Sequence, residues 1–131
     1  MSELVLISHG DFCHELKKSA EMIMGPQDNI YSVGLQPSEG PEDFEKKLLA
    51  TLDGLTDYTV FADLMGGTPC NVASRLLMEG KAQFELYAGM NLPMLVSFIN
   101  GELLGSTPAI VDESKAGIVR VNDVIAGISG K

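Results

Sequence analysis

The chain has 131 residues, the size of one ordinary domain able to bury roughly 65–70% of the surface that its unfolded form exposes. Nine Lys and Arg against 18 Asp and Glu give a formal charge of -9, a field that repels nucleic-acid backbones and anionic lipid heads, so neither nucleic acid nor direct membrane insertion is expected. Two cysteines outside any C-x-x-C pattern and an acidic start, Met1-Ser2-Glu3, argue for a cytoplasmic protein over a secreted disulfide scaffold, and no apolar run nears the ~20 residues of a membrane span.

Short apolar runs alternate with amphipathic stretches, the order that βαβ units and a mainly parallel sheet produce. Residues 4–8 read as a buried first strand that delivers His9 ahead of Gly10. A helix over 12–24 carries Leu16, Ala20, Ile23 and Met24 on one face and stops at Gly25-Pro26. Residues 30–35 form the second strand. The second helix, 42–52, opens behind Pro41 with acids in its first turn and spaces Phe44, Leu48, Leu49 and Leu52 helically. The third strand, 58–62, is rich in β-branched and aromatic residues and ends at Asp63. Gly66-Gly67 then forces a turn, and Thr68-Pro69 opens a third helix to about residue 79, with Thr68 as N-cap. Residues 83–88 make a fourth strand; Asn91 caps a fourth helix that Gly101 stops near residue 100. Further on, residues 118–121 have strand composition, while Ala116-Gly117 and Ser129-Gly130 look like turns or fraying ends. A fifth strand would lie at an edge of its own sheet or of a neighbouring subunit's, and the second arrangement implies a dimer.

Ligands of open α/β sheets sit at the carboxyl ends of strands, so neighbouring first and third strands would bring His9 and Asp63 to one rim. A carboxylate bonded to one ring nitrogen fixes the tautomer and aims the other nitrogen's lone pair outward, as a nucleophilic imidazole requires. Gly66 and Gly67 would supply close-approaching N–H groups, and Thr68 a hydroxyl at a helix amino terminus, a cradle for a phosphoryl group on His9. Taken singly, each piece is bland: a strand-end histidine, a turn-capping acid, a tight turn before a helix. Their combination points to phosphate chemistry. His14 is expected on the surface of the first helix, and Met22, Met24, Met65, Met78, Met90 and Met94 in the core or lining pockets. Arg75 is expected to pair with an acid or face a partner. No further His, Cys or acid cluster has ligand spacing, so neither a metal nor another cofactor is expected.

Four stretches carry a resemblance. They are Leu6-Ile7-Ser8-His9-Gly10, Lys17-Lys18-Ser19-Ala20-Glu21-Met22-Ile23-Met24-Gly25, the block from Asp63-Leu64-Met65-Gly66-Gly67-Thr68-Pro69 to Arg75, and Ala88-Gly89-Met90-Asn91-Leu92-Pro93-Met94-Leu95. Together, in register over about residues 4–100, they resemble the mannose-family enzyme IIA domain of the bacterial sugar phosphotransferase system. The resemblance implies one IIA domain over 1–131, a doubly wound sheet, and a homodimer that exchanges a carboxyl-terminal strand. It maps the phosphorylated histidine, modified on Nε2, to His9, its acid partner to Asp63, and the hydroxyl at the helix start to Thr68, where serine is usual. It also implies two in-line transfers, from the phosphohistidine of the general phosphocarrier protein to His9 and then to a histidine of a separate IIB subunit, without metal or cofactor. Sugar choice would lie in the membrane subunits. A related role, feeding phosphate to a dihydroxyacetone kinase complex, belongs to the same family.

Two other classes are weighed against this one. A phosphatase built on Cys70 and Arg75 has C-x4-R where the phosphate loop needs C-x5-R, and Pro69 places Cys70 inside a helix. A receiver-type signalling module would use Asp63 as acceptor, but it needs further acids at the first strand end and has only Asp11.

Overall fold

The computed structural model describes residues 2–128. Four short runs rich in β-branched and aromatic residues become β1 (Glu3–His9), β2 (Ile30–Leu35), β3 (Tyr58–Ala62) and β4 (Glu85–Ala88). They form one sheet in the order β2-β1-β3-β4, every neighbouring pair parallel. Parallel neighbours need crossovers, and these are α1 (Phe12–Met24), α2 (Pro41–Leu52) and α3 (Thr68–Met78). The chain leaves β1 toward one edge and β3 toward the other, so the strand order reverses at their carboxyl ends, where open α/β sheets bind ligands. The sheet is α/β and doubly wound, as the sequence predicts.

Sheet and helices divide into two compact units, Met1–Leu92 and Pro93–Lys131. In the first, α2 and α3 pack on each other, and Phe44, Leu48, Leu52, Val72, Ala73 and Leu76 meet Val5, Ile7, Val60 and Ala62 in one buried cluster. Alternate residues of β1, Leu4 and Leu6, are also fully buried, with α1 against β1 and β2. Both faces of the strand are thus covered, which is why it reads as a continuous apolar run.

Gly34 allows the chain to leave β1 tightly. It stands opposite Ser8 in the β1–β2 register, and the carbonyl oxygen of Gly10 occupies the place where a Cβ at position 34 would sit. The Gly10 N–H donates to the Leu35 carbonyl at 2.7 Å, so the turn after His9 folds down onto β2. On the outer edge of β2, Lys47 Nζ donates to the Gly34 carbonyl at 2.6 Å and pairs with Glu39 at 2.7 Å, which holds the Glu39 carboxyl below its usual range. The lysine reaches from α2 to occupy a carbonyl on the outer edge of β2, which blunts that edge against pairing with another chain.

In the second unit, α4 (Leu92–Leu104) is followed by α5 (Ile110–Ala116) and α6 (Val121–Ile128). The helix runs through Gly101 instead of stopping there. Gly101 is buried, and a Cβ on it would come within 2.7 Å of Pro108 Cδ, so this glycine serves packing. The helix ends three residues later, where the Ser106 N–H bonds the Gly101 carbonyl and the Gly105 N–H bonds the Glu102 carbonyl. Ser97 Oγ donates to Glu113 Oε2 at 2.8 Å, tying α4 to α5.

The edge strand expected over 118–121 does not form. Residues 118–120 lie in no strand or helix, and Val121 opens α6. The reason is periodicity: Val121, Val124, Ile125 and Ile128 fall at i, i+3, i+4 and i+7, a helical stripe that outweighs the strand-like composition of a four-residue window. That stripe is 49–83% exposed, as are Ile118 and Val119. Other expectations also shift. Ile23 is 58% exposed because α1 buries Cys13, Leu16 and Ala20 instead, and Met22, Met65 and Met78 are 80–88% exposed, leaving Met90 and Met94 as the buried methionines of the set. The turn expected at Ser129-Gly130 lies outside the described residues. Among the described residues, no helix is long and apolar enough to cross a membrane.

Candidate functional site

His9 is the last residue of β1 and Asp63 the first after β3, and the parallel register carries both to the same rim. The Asp63 N–H donates to the Ile7 carbonyl at 3.1 Å, extending the ladder one residue past β3. The next donor on that side of β1 is the His9 N–H, and it goes to Asp63 Oδ2 at 2.9 Å in place of a main-chain carbonyl. The same oxygen lies 2.8 Å from His9 Nδ1. One carboxylate oxygen therefore holds the backbone and the ring of a residue 54 positions away.

A carboxylate only accepts, so the nitrogen facing it carries the ring proton, and the lone pair is left on Nε2. The His9 side chain is 49% exposed and that of Asp63 13%, which seats the acid beneath the ring and leaves the ring accessible. Asp63 Oδ1 is buried without a hydrogen-bond partner among the described residues. An oxygen in that state costs about 1–3 kcal/mol, so the surrounding fold over-determines the position of this carboxylate.

The loop from β3 to α3 closes the other side. Gly66 has φ +88°, a conformation that side chains rarely adopt, and the Asn71 side-chain amide donates to its carbonyl at 3.2 Å. Gly67, with φ -85° and ψ 164°, is the N-cap of α3; Thr68 is the first helical residue and Pro69 the second. The helix starts one residue earlier than the sequence suggests, since proline is accepted anywhere in the first turn, where its missing N–H has no partner to lose. The Gly67 N–H lies 3.4 Å from the Leu64 carbonyl and the Asn71 N–H bonds the Gly67 carbonyl at 2.9 Å. The Thr68 and Cys70 N–H groups are thus at the open end of the helix, and Pro69 contributes none.

Sequence reasoning passed over two residues that build this rim. Buried Ser8 accepts a hydrogen bond from the Cys13 N–H at 2.9 Å and donates to the Gly10 carbonyl at 3.3 Å, fixing α1 to the end of β1. A hydroxyl five residues ahead of the group it caps falls outside the usual N-cap offset. Gly34 has no local signature at all, because its role arises only when two strands meet. Elsewhere, His14 is half-buried with Nδ1 2.6 Å from Ser32 Oγ, and Arg75 pairs with Glu45 at 3.1 Å. Burial pushes the Cys13 thiol up, and Cys70 is buried inside α3, so neither sulfur is open to a substrate.

A profile described as the "PTS system fructose IIA component" matches residues 3–115. The chain belongs to the mannose-family IIA components of the phosphotransferase system. As a IIA component it is 38% identical over 96 residues to the PTS system mannose-specific EIIAB component of Escherichia coli K12, a match covering 71% of this chain and 29% of that one. It is 33% identical over 96 residues to the sorbose-specific EIIA component of Lacticaseibacillus casei, covering 72% and 69%. Among solved structures, the mannose/sorbose-specific IIA subunit of Enterococcus faecalis superposes with a TM-score of 0.78 at 30% identity, covering 91% of this IIA chain and 93% of that one. The EIIA component of Streptococcus agalactiae gives 0.82 at 26%, covering 94% and 99%.

Proposed function

We propose that this IIA component is a phosphoryl carrier of a sugar phosphotransferase system, taking phosphate on His9 Nε2 from the phosphocarrier protein and passing it to a IIB subunit. The observation that carries the reading is the single Asp63 oxygen bonded to both His9 N and Nδ1, which leaves Nε2 as the free nucleophile of a half-exposed ring. In the transfer, the Nε2 lone pair forms a bond to phosphorus as the N–P bond of the donor imidazole breaks, and that bond's electron pair stays on the donor nitrogen. The Nδ1 proton remains against Asp63, whose charge offsets the ring charge of the phosphorylated form. Gly66 shapes the loop, and Gly67 and Thr68 put the open end of α3 beside the phosphoryl oxygens. The reaction belongs in the cytoplasm.

Phe12, Leu64 and Met65, each 47–82% exposed and within three residues of His9 or Asp63, supply an apolar rim on which a carrier protein can dock. The relatives named for mannose, sorbose and fructose favour sugar transport over a dihydroxyacetone kinase pathway. A receiver-type acyl phosphate on Asp63 is disfavoured because Oδ2 already accepts two bonds and Oδ1 is buried. Incubation with enzyme I, the phosphocarrier protein and phosphoenolpyruvate, followed by mass measurement of each peptide, tests the assignment. One phosphoryl group is expected on the peptide bearing His9, stable in base and lost in acid; phosphate on the Asp63 peptide, lost in base, would refute it.

A homodimer is proposed with it. The exposed apolar stripe of α6 and the neighbouring Ile118 and Val119 offer a surface for a second copy, and residues 118–120, outside any element of the single chain, are available for exchange. Sedimentation equilibrium should give twice the 14.0 kDa chain mass, and a species of single-chain mass at high micromolar concentration would remove the dimer.

A further inference from the structure

We infer that Gly67 is a positioning residue for His9, acting through its lack of a side chain to seat the imidazole and so to decide which ring nitrogen receives phosphate. The inference rests on His9 being the acceptor. A Cβ placed on Gly67 would lie 2.6 Å from His9 Cε1 and 3.3 Å from Nε2, closer than real Cβ contacts allow at the first of these. The edge of the ring that carries Nε2 therefore rests on the bare Cα of the α3 N-cap, while Nδ1 is held from the other side by Asp63 at 2.8 Å.

The backbone does not demand glycine here. Gly67 has φ -85° and ψ 164°, open to any residue, unlike Gly66 at φ +88°. Nor is its N–H free for an anion, being turned to the Leu64 carbonyl. What remains is close approach to the ring. A hydrogen bond at Nδ1 alone leaves a half-exposed imidazole free to swing about that contact; a wall along the Cε1–Nε2 edge removes the freedom. With both in place, Nε2 is the nitrogen whose lone pair bonds phosphorus while the donor's N–P bond breaks and its pair stays on the donor nitrogen; the Nδ1 proton does not move.

In Gly67→Ala the ring must swing away, the bond to Asp63 is lost, and the tautomer with its proton on Nε2 and its lone pair on Nδ1 becomes accessible. Wild type and variant are loaded with enzyme I and the phosphocarrier protein. Single-turnover transfer is timed across donor concentrations, and the phosphohistidine isomer is read by phosphorus NMR on the intact protein. The variant is expected to lose tenfold or more in the transfer rate at saturating donor and to show the Nδ1 isomer beside the Nε2 isomer. A folded variant that transfers at the wild-type rate and carries phosphate on Nε2 alone overturns the inference. Should the variant not fold, the wild-type protein decides: a strong proton–proton cross-relaxation between His9 Hε1 and Gly67 Hα is expected, and its absence overturns the proposal. Wild type that takes up no phosphate would instead defeat the reading of His9 as acceptor, so the two failures are distinct.

Discussion

His9→Ala is expected to take up no phosphate from the carrier while folding as the wild type does. Among the described residues no second imidazole stands at the rim to replace His9: the Asp63 side chain is only 13% exposed, and His14 is turned to Ser32. The fold tolerates the change because the ring is half in solvent and the His9 N–H keeps its bond to Asp63 Oδ2. Loss of the ring bond should lower stability by no more than about 1.5–3 kcal/mol, the range for a hydrogen bond to a charged group, and solvent at the half-exposed ring keeps the cost toward the low end. Phosphate transfer and thermal unfolding are measured side by side. Retention of uptake in a folded variant would remove His9 from the mechanism.

Asp63→Ala should slow transfer without stopping it. The carboxylate fixes the tautomer and faces the charge that develops on the ring, and a hydrogen bond to a charged group contributes about 1.5–3 kcal/mol, or roughly 10- to 150-fold in rate. The loss should fall on the transfer step and spare the affinity for the carrier, since the Asp63 side chain is only 13% exposed beneath the ring, whereas the neighbouring Phe12, Leu64 and Met65 face solvent. Stability should move less than the two lost bonds suggest. Removing Asp63 also removes Oδ1, a buried oxygen with no hydrogen bond among the described residues, which offsets part of the cost of leaving the His9 N–H unpaired. Asp63→Asn, whose amide oxygen can still accept from Nδ1, should transfer faster than the alanine variant. Single-turnover rates for the three proteins test this, and an unchanged rate in Asp63→Ala would exclude the acid from the chemistry.

The rim could be read from the sequence because its parts announce themselves locally. A continuous apolar run implies a strand buried on both faces, and such strands end where ligands bind, so His9 and Asp63 stood out before any contact was visible. The Gly-Gly-Thr-Pro turn likewise marked the start of α3 to within one residue. What stayed hidden arises between elements distant in the chain. Gly34 is bare because Gly10 crosses it, and Gly101 because Pro108 lies on it, and neither reason is visible in a local window. The carboxyl-terminal helices were missed for a different cause: α5 has seven residues, too few for a helical period to stand out, and Ile118 to Val121 look like a strand until Val124, Ile125 and Ile128 are counted with Val121.

The grip of one Asp63 oxygen on both backbone and ring of His9 also sets the moment at which the protein becomes competent. The histidine precedes its partner by 54 positions, and the wall behind the ring comes with Gly67. Parallel pairing of β1 with β3 closes a long loop, a slow event compared with helix formation. A chain that ends short of β3 therefore lacks both contacts to the imidazole, and under the reading proposed above transfer to His9 reaches its full rate only once β1 and β3 are paired.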